Sequence, residues 1–403
     1  MGKHIDFKIR LDSEKIDLLF VATLSLSLVT SSINHIVNIF APGSPLDTLV
    51  CYALYCLVLI IALPSVLKRI SIYCVAVFFI GLLLFAFAYL KSDTYIYAVK
   101  YSSIYFTQMI PLFILGATIK DIEHIDKLME KVLPIITVFC VCYFLSDRIR
   151  GRSFHEDDME FAYWMLPFTV YSIISFIKKP KSVLSIFIPV ILLICQMLTG
   201  TRGPLLCIIS ALLFYVIFTE FKRGRKILIV ILGIGLFLWI YSDYFIPSIT
   251  YLANRLSILG INNRILLKLQ SGGFFEGSNR EEIYSGIWSY IKEQPLYGYG
   301  FLGDRKLLIG QSYPHNLILE ILCQYGCIFG GCLLIMLFVM VWNFLILNRK
   351  NTLAIMLVSC SVIKLFISGT YITEDLFFVL LGVMCNKHIY TSIVSNSIFA
   401  KDN

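Results

Sequence analysis

Long apolar runs separated by short polar breaks recur along the whole chain. Twelve of them lie at roughly 18–40, 46–67, 70–90, 95–119, 130–147, 159–178, 182–199, 203–220, 226–247, 316–346, 352–372 and 375–390. About 20 predominantly apolar residues cross the hydrocarbon core of a bilayer as a helix. A spanning backbone must satisfy its own hydrogen bonds, and these runs are too long for barrel strands. One soluble core in a chain of this size could not hide them all. The pattern predicts an all-α polytopic membrane protein of about twelve transmembrane helices, a single domain over residues 1–403. The run at 316–346 is long enough to include a re-entrant turn near Gly326, and the last run is short.

One segment departs from the alternation. Residues 248–315 form a long polar stretch between the ninth and tenth spans, read as a large extracytoplasmic loop of the same domain. Loops of this length are commonly functional or disordered. Within it, Ile283, Ile287 and Ile291 recur at the spacing that gives a helix one apolar face. The expectation is an ordered cap on the outer membrane surface.

Composition agrees with this picture. Of 403 residues 58% are hydrophobic and 15% charged, and mean hydropathy is +0.81. The net charge of +8 sits at the ends of the apolar runs, so it reports topology and gives no reason to expect a nucleic-acid partner. With the N-terminus placed in the cytoplasm, the inner segments hold twenty Lys and Arg residues and the short outer segments five. The positive-inside rule then puts both termini in the cytoplasm. The first 17 residues are polar and charged, and the first apolar run is too long for a cleaved signal, so it reads as a retained anchor. The 12 cysteines show no metal-ligand spacing. None falls within 248–315, which rules out a disulfide framework there.

Several outer-face residues could carry chemistry. Arg202 lies in the turn Thr199-Gly200-Thr201-Arg202-Gly203-Pro204, where it could equally be a helix-end arginine reaching for headgroups. Arg280 opens the loop helix; a cation is mildly unfavourable there, so it needs another reason to be present. His315 follows Tyr313 and Pro314 at the outer end of the tenth span. Behind it Asn316, Glu320 and Gln324 recur at i, i+4 and i+8 inside an apolar helix. Such a polar stripe faces a bundle interior or a wet cavity. Lys100, Lys364 and the first span's Ser31, Asn34, His35 and Asn38 also fit a cavity, or ordinary hydrogen bonds between helices. Arg150, in the basic outer loop Arg148-Ile149-Arg150-Gly151-Arg152, could touch phosphate or simply be solvated. Arginines gathered with one histidine suit a phosphorylated lipid: guanidinium forks match phosphate oxygens, and imidazole can take a proton from a hydroxyl. There is no metal constellation and no phosphate-cradling glycine loop, so no cofactor is expected.

The motifs resemble the O-antigen polymerase and O-antigen ligase superfamily. Thr-Gly-Thr-Arg-Gly at 199–203 is similar to its Arg-bearing turn, with Thr201 where serine is common. Ser278-Asn279-Arg280 through Trp288, then Pro295-Leu296-Tyr297-Gly298-Tyr299-Gly300, resemble its outer-loop pattern. His315-Asn316 with Leu319-Glu320 and Tyr325-Gly326 resemble its helix entry. The resemblance covers roughly 199–330, the N-terminal half matching only in layout. It implies a metal-independent, membrane-embedded glycosyltransferase of GT-C-like architecture in the bacterial cytoplasmic membrane. The donor would be a glycan on undecaprenyl pyrophosphate. Arg202 and Arg280 would bind the pyrophosphate and His315 would orient or deprotonate the acceptor hydroxyl. Tyr313, Asn316, Glu320, Lys100 and Arg150 would line the substrate. A chain-length regulator and a flippase would be partners. A repeat-unit polymerase, for O-antigen or capsule, is preferred to a ligase acting on lipid A core. A transporter comes third, because no paired halves with interrupted helices are evident.

Overall fold

The computed structural model describes residues 2–41, 46–91, 93–120, 122–149, 159–178, 184–199, 201–218, 247, 250–251, 254–255, 280–308, 313–349 and 351–386. Among them every regular element is helical. In chain order these are α1 (Gly2–Phe40), α2 (Leu46–Leu67), α3 (Ile72–Leu90), α4 (Tyr95–Ile104), α5 (Ile110–Thr118), α6 (Ile122–Ile149), α7 (Met159–Lys178), α8 (Leu184–Leu198) and α9 (Arg202–Phe218). There follow α10 (Arg280–Glu293), α11 (Leu317–Tyr325), α12 (Gly331–Leu347), α13 (Thr352–Val358), α14 (Lys364–Ile367) and α15 (Asp375–Met384). Turns of π-helix at Tyr105–Met109, Gly326–Gly330 and Ser359–Ile363 join α4 to α5, α11 to α12 and α13 to α14.

Six described stretches are long and apolar enough to cross a membrane: Asp12–Phe40, Thr48–Leu67, Ile72–Leu90, Ile122–Ser146, Met159–Lys178 and Leu317–Leu347. The chain is thus an all-helical protein with the character of a multi-pass membrane protein. The fourth predicted run is helical through its π turn, and shorter apolar helices occupy the seventh, eighth, eleventh and twelfth runs. The ninth, 226–247, lies outside the described residues except for its last position. Four boundaries differ from expectation. Helix α1 begins at Gly2, well before the apolar run at 18. Helix α6 starts at Ile122, not near 130, because its first turns carry charged residues that extend the helix before the apolar run. The eleventh run stops at Ile367 rather than 372, where Gly369 at φ +89° takes the chain out of helical conformation. Helix α15 has ten residues, about 15 Å of rise against a core of about 30 Å.

The chain forms two compact units, residues 1–20, 58–125 and 278–403 in one, residues 21–57 and 126–277 in the other. In the first, α5 and α15 meet backbone to backbone. A Cβ on Gly382 would lie 2.1 Å from the Phe113 carbonyl oxygen, and one on Gly116 2.2 Å from that of Val379. Small residues allow this approach, and in lipid such close packing replaces the hydrophobic drive. One end of this unit is tied by polar contacts. Ser65 donates to Asp12 at 2.8 Å, Arg69 donates to the Thr118 carbonyl at 3.3 Å, and His124 Nδ1 sits 2.7 Å from Asp17. The other end holds residues 300–308: Lys306 pairs with Asp93 at 2.9 Å, and Phe301 packs edge-on against Phe85 at 5.0 Å. The two ends therefore carry the segments that an alternating topology assigns to opposite membrane faces.

In the second unit α7 is the most buried helix. Tyr143 stacks on Phe161 at 3.7 Å and lies 4.2 Å from His35. Gln196 donates to the Ala162 carbonyl at 3.2 Å, and Asn38 donates to Asn34. Of the first span's polar residues, His35 thus meets another helix, and Asn34 and Asn38 bond to each other along α1.

Gly382→Val should put its side chain into the α5 backbone and cost about 1–3 kcal/mol or more. A thermal unfolding transition of the purified protein that stays at the wild-type temperature would show that the helices do not meet there.

Candidate functional site

The site is built on the end of α11. The glycines of the 295–300 segment let it dock its backbone directly onto that helix. Tyr299 and Gly300 donate their N–H groups to the carbonyls of Cys323 and Gln324 at 2.9 and 2.8 Å, and Cys327 donates to the Pro295 carbonyl at 2.6 Å. Carbonyls left unpaired in the last turn of a helix are satisfied this way. Gly298 and Gly326 have φ of +64° and +73°. A Cβ on Gly326 would lie 2.2 Å from the Leu296 carbonyl oxygen, and one on Gly298 2.6 Å from that of Cys323. The expected break near Gly326 is therefore a seat for the loop.

Helix α10 closes over this dock with the apolar face read from the sequence. Ile287 and Ile291 are buried against Cys323, with Ile283, Tyr290, Leu319 and Leu322 around them. The capping candidates Ser278 and Asn279 lie outside the described residues.

Beneath the loop lies a buried charged network. Arg305 is 1% exposed. Its guanidinium pairs with Asp304 and Glu320, and it donates to Thr370 Oγ1 at 2.7 Å. Thr370 in turn donates to Glu320. Gln324 donates to Asp304 at 2.6 Å and accepts from the Tyr371 hydroxyl at 2.6 Å. The Arg305 guanidinium carbon lies 5.4 Å from the ring centroid of Tyr101 and 6.0 Å from that of Tyr313, within cation–π reach. Burial opposes the charge on Arg305, but Asp304 and Glu320 more than offset it and raise its pKa. Burial pushes the Asp304 carboxyl up against the pull of Arg305. Beside the network Lys364 pairs with Glu374 at 2.7 Å.

His315 stands at the rim. Its φ of +56° is unusual for a side-chain-bearing residue, and it makes the sharp entry into α11. Asn316 then caps the helix, its Oδ1 accepting from the N–H groups of Ile318 and Leu319 at 3.0 and 3.2 Å. The His315 ring lies 4.2 Å from that of Tyr313, and its carbonyl accepts from the Tyr284 hydroxyl at 3.4 Å. Arg280 is one turn before Tyr284 on α10, so both share the face turned toward His315. Burial first, then the positive charges of Arg280 and Arg305, push the imidazole down to about 4. It is neutral near pH 7 and able to accept a proton. Three buried polar atoms here, Arg305 Nε, Glu320 Oε2 and His315 Nδ1, have no hydrogen-bond partner among the described residues.

The structure brings Arg280, Tyr313, His315, Asn316 and Glu320 to one end of the first unit. Glu320 and Gln324 are fully buried, so the polar stripe faces inward as its spacing indicated. Asn316 and Glu320 have internal roles, as cap and counter-charge. Lys100 departs from the expectation of an interior position. It is exposed, with its ammonium 5.7 Å from the ring centroid of Tyr101, because the next residue takes the inward face of α4. Arg202 begins α9 in the second unit, after Thr199 and Thr201, whose hydroxyls lie 3.0 Å apart. Arg150 lies outside the described residues. The sequence reading missed Asp304, Arg305, Thr370 and Tyr371. A charged pair in a polar loop looks solvated, and the only signal was the need of Glu320 for a partner.

An apolar groove of about 480 Å³ adjoins the network, lined by Phe87, Lys91, Tyr297, Phe301, Gln324 and Phe329 among others.

Residues 187–335 match a family model described as O-Antigen ligase. No curated protein matches the chain. The matched stretch includes Arg202, Arg280, Arg305, His315 and Glu320, and it bears out the superfamily resemblance carried by the motifs.

Removing one member of a buried ion pair strands the other and costs about 3–5 kcal/mol. Arg305→Ala should therefore lower the unfolding temperature and the membrane abundance of the protein well below those of Lys306→Ala, whose ion pair is exposed. Equal behaviour of the two variants would contradict the network.

Proposed function

We propose that this chain, of the O-antigen polymerase and ligase superfamily, is a repeat-unit polymerase acting at the outer face of the bacterial cytoplasmic membrane. The observation that carries the reading is His315, partly buried at the sharp entry into α11 and within the field of Arg280 and Arg305. An undecaprenyl-pyrophosphate-linked glycan is the donor, and its isoprenoid chain follows the groove and the surrounding lipid. The acceptor is a sugar hydroxyl of an incoming lipid-linked repeat unit. His315 takes the hydroxyl proton as the oxygen attacks the anomeric carbon of the donor. The bond from that carbon to the pyrophosphate oxygen breaks, and the pyrophosphate leaves with the electron pair. Arg280 stabilises the negative charge that develops there, without a metal ion; Arg202 is a further candidate for binding the pyrophosphate. Arg305 is tied up in its own ion pairs and acts through position and field. Tyr313 lies at the same end and completes the substrate surface. Twelve spans, both termini in the cytoplasm and GT-C-like architecture belong to this proposal, as do a flippase and a chain-length regulator as partners.

The description of the matched family, O-Antigen ligase, favours a second reading in which the same chemistry delivers the glycan to lipid A core.

The test is purified protein with its native lipid-linked repeat unit as sole substrate. A polymerase yields a ladder of longer lipid-linked glycans. No ladder from folded protein, with transfer to added lipid A core, would replace the polymerase with the ligase. Arg280→Ala and His315→Ala should each lower the rate by about 100-fold or more, with normal membrane abundance. A near-normal rate would remove that residue from the site.

A further inference from the structure

At the end of the first unit opposite His315 lies a second cavity, of about 450 Å³, lined by Lys68, Arg69, Ser71, Tyr73, Lys120 and Asn386 among others. Three lining side chains are cations and none is a carboxylate. Asp12, outside the lining, takes Ser65 at 2.8 Å and Lys68 at 3.8 Å. Arg69 donates instead to two neutral oxygens, Ser13 Oγ at 2.9 Å and the Thr118 carbonyl at 3.3 Å. Burial, then Arg69, hold the Lys120 ammonium below its usual pKa, so two like charges are held close enough to repel. The N-terminus of α3 opens at the same place, with Ser71 in the capping position but making no side-chain cap bond. Its partial positive charge adds to that of the cations.

We propose that this cavity binds the phosphate headgroup of an anionic phospholipid. Three converging cations and the Ser71 hydroxyl match the donors that phosphate oxygens require. What selects a lipid over a free phosphate ion is the surface beside the cavity. Ile72 at its rim is 72% exposed, and Val75, Phe79 and Leu83 continue an exposed apolar face along α3. Acyl chains cover that face while the headgroup turns into the cavity; a free ion would use none of it. Basic pockets between transmembrane helices on the cytoplasmic side take anionic headgroups in this way. Under the positive-inside reading this is the cytoplasmic leaflet, so the protein grips lipid at the face opposite its chemistry.

The test is native mass spectrometry of the full-length protein in detergent, offered phosphatidylglycerol and phosphatidylcholine in equal amounts. Wild-type protein should retain phosphatidylglycerol in preference. Lys120→Gln and Lys68→Gln should each weaken that retention by about fivefold, and Lys120→Arg should keep it. The exposed Lys68 side chain supplies a variant whose folding is safe even if Lys120→Gln is damaged. Equal retention of the two lipids, or retention unchanged in both glutamine variants, would overturn the proposal. Displacement of the lipid by millimolar inorganic phosphate would also overturn it, in favour of a free-phosphate site.

Discussion

A guanidinium buried among apolar helices must be neutralised where it sits, and the His315 end of the first unit is arranged around that demand. Removing a cation from water costs several kcal/mol unless nearby charge and hydrogen bonds replace the lost hydration. For Arg305 the replacement comes from Asp304 beside it, Glu320 on α11, Thr370 in the turn before α15, and the faces of Tyr101 and Tyr313. These partners come from four separate parts of the chain. Satisfying one charge therefore fixes the loop, the top of α11 and the 368–374 turn relative to one another.

The backbone dock at Gly298 and Gly326 works with this network. Glycines permit the contact, but hydrogen bonds to two helix carbonyls give it register, and Gln324 links it to the ion network through Asp304. His315 inherits its place from both. It sits between Tyr313, which faces Arg305, and Asn316, which caps α11. Its left-handed backbone is sustained by a rigid surround, as strained residues generally are.

How much of this was legible in the sequence follows from the range of the interactions. Apolar runs, the isoleucine face of α10 and the inward stripe of Glu320 and Gln324 are periodic, so spacing alone reveals them. The burial of Ile287, Ile291 and both stripe residues bears this out. Helix ends were less legible, since the start of α6 and the end of α14 depend on charged extensions and one glycine. Arg305 was not legible, because nothing local distinguishes a buried loop arginine from a solvated one. Lys100 was misjudged for the complementary reason: with Tyr101 beside it, composition cannot say which of the two turns inward.

The functional account rests on electrostatics at His315. Burial first, and then repulsion from Arg280 and Arg305, hold its imidazole neutral, so an anion bound beside it should remove part of that repulsion and raise its basicity as the acceptor proton must be taken up. The most direct measurement is the titration of His315 by NMR in protein with isotope-labelled histidine, its signal identified among the six histidines by its loss in His315→Ala. Alone, His315 should titrate near the depressed value of about 4; with a polyprenyl pyrophosphate bound, its pKa should move upward. A His315 that titrates near the ordinary histidine value without ligand, or whose pKa does not move when the pyrophosphate lipid binds, would contradict the assignment of this site.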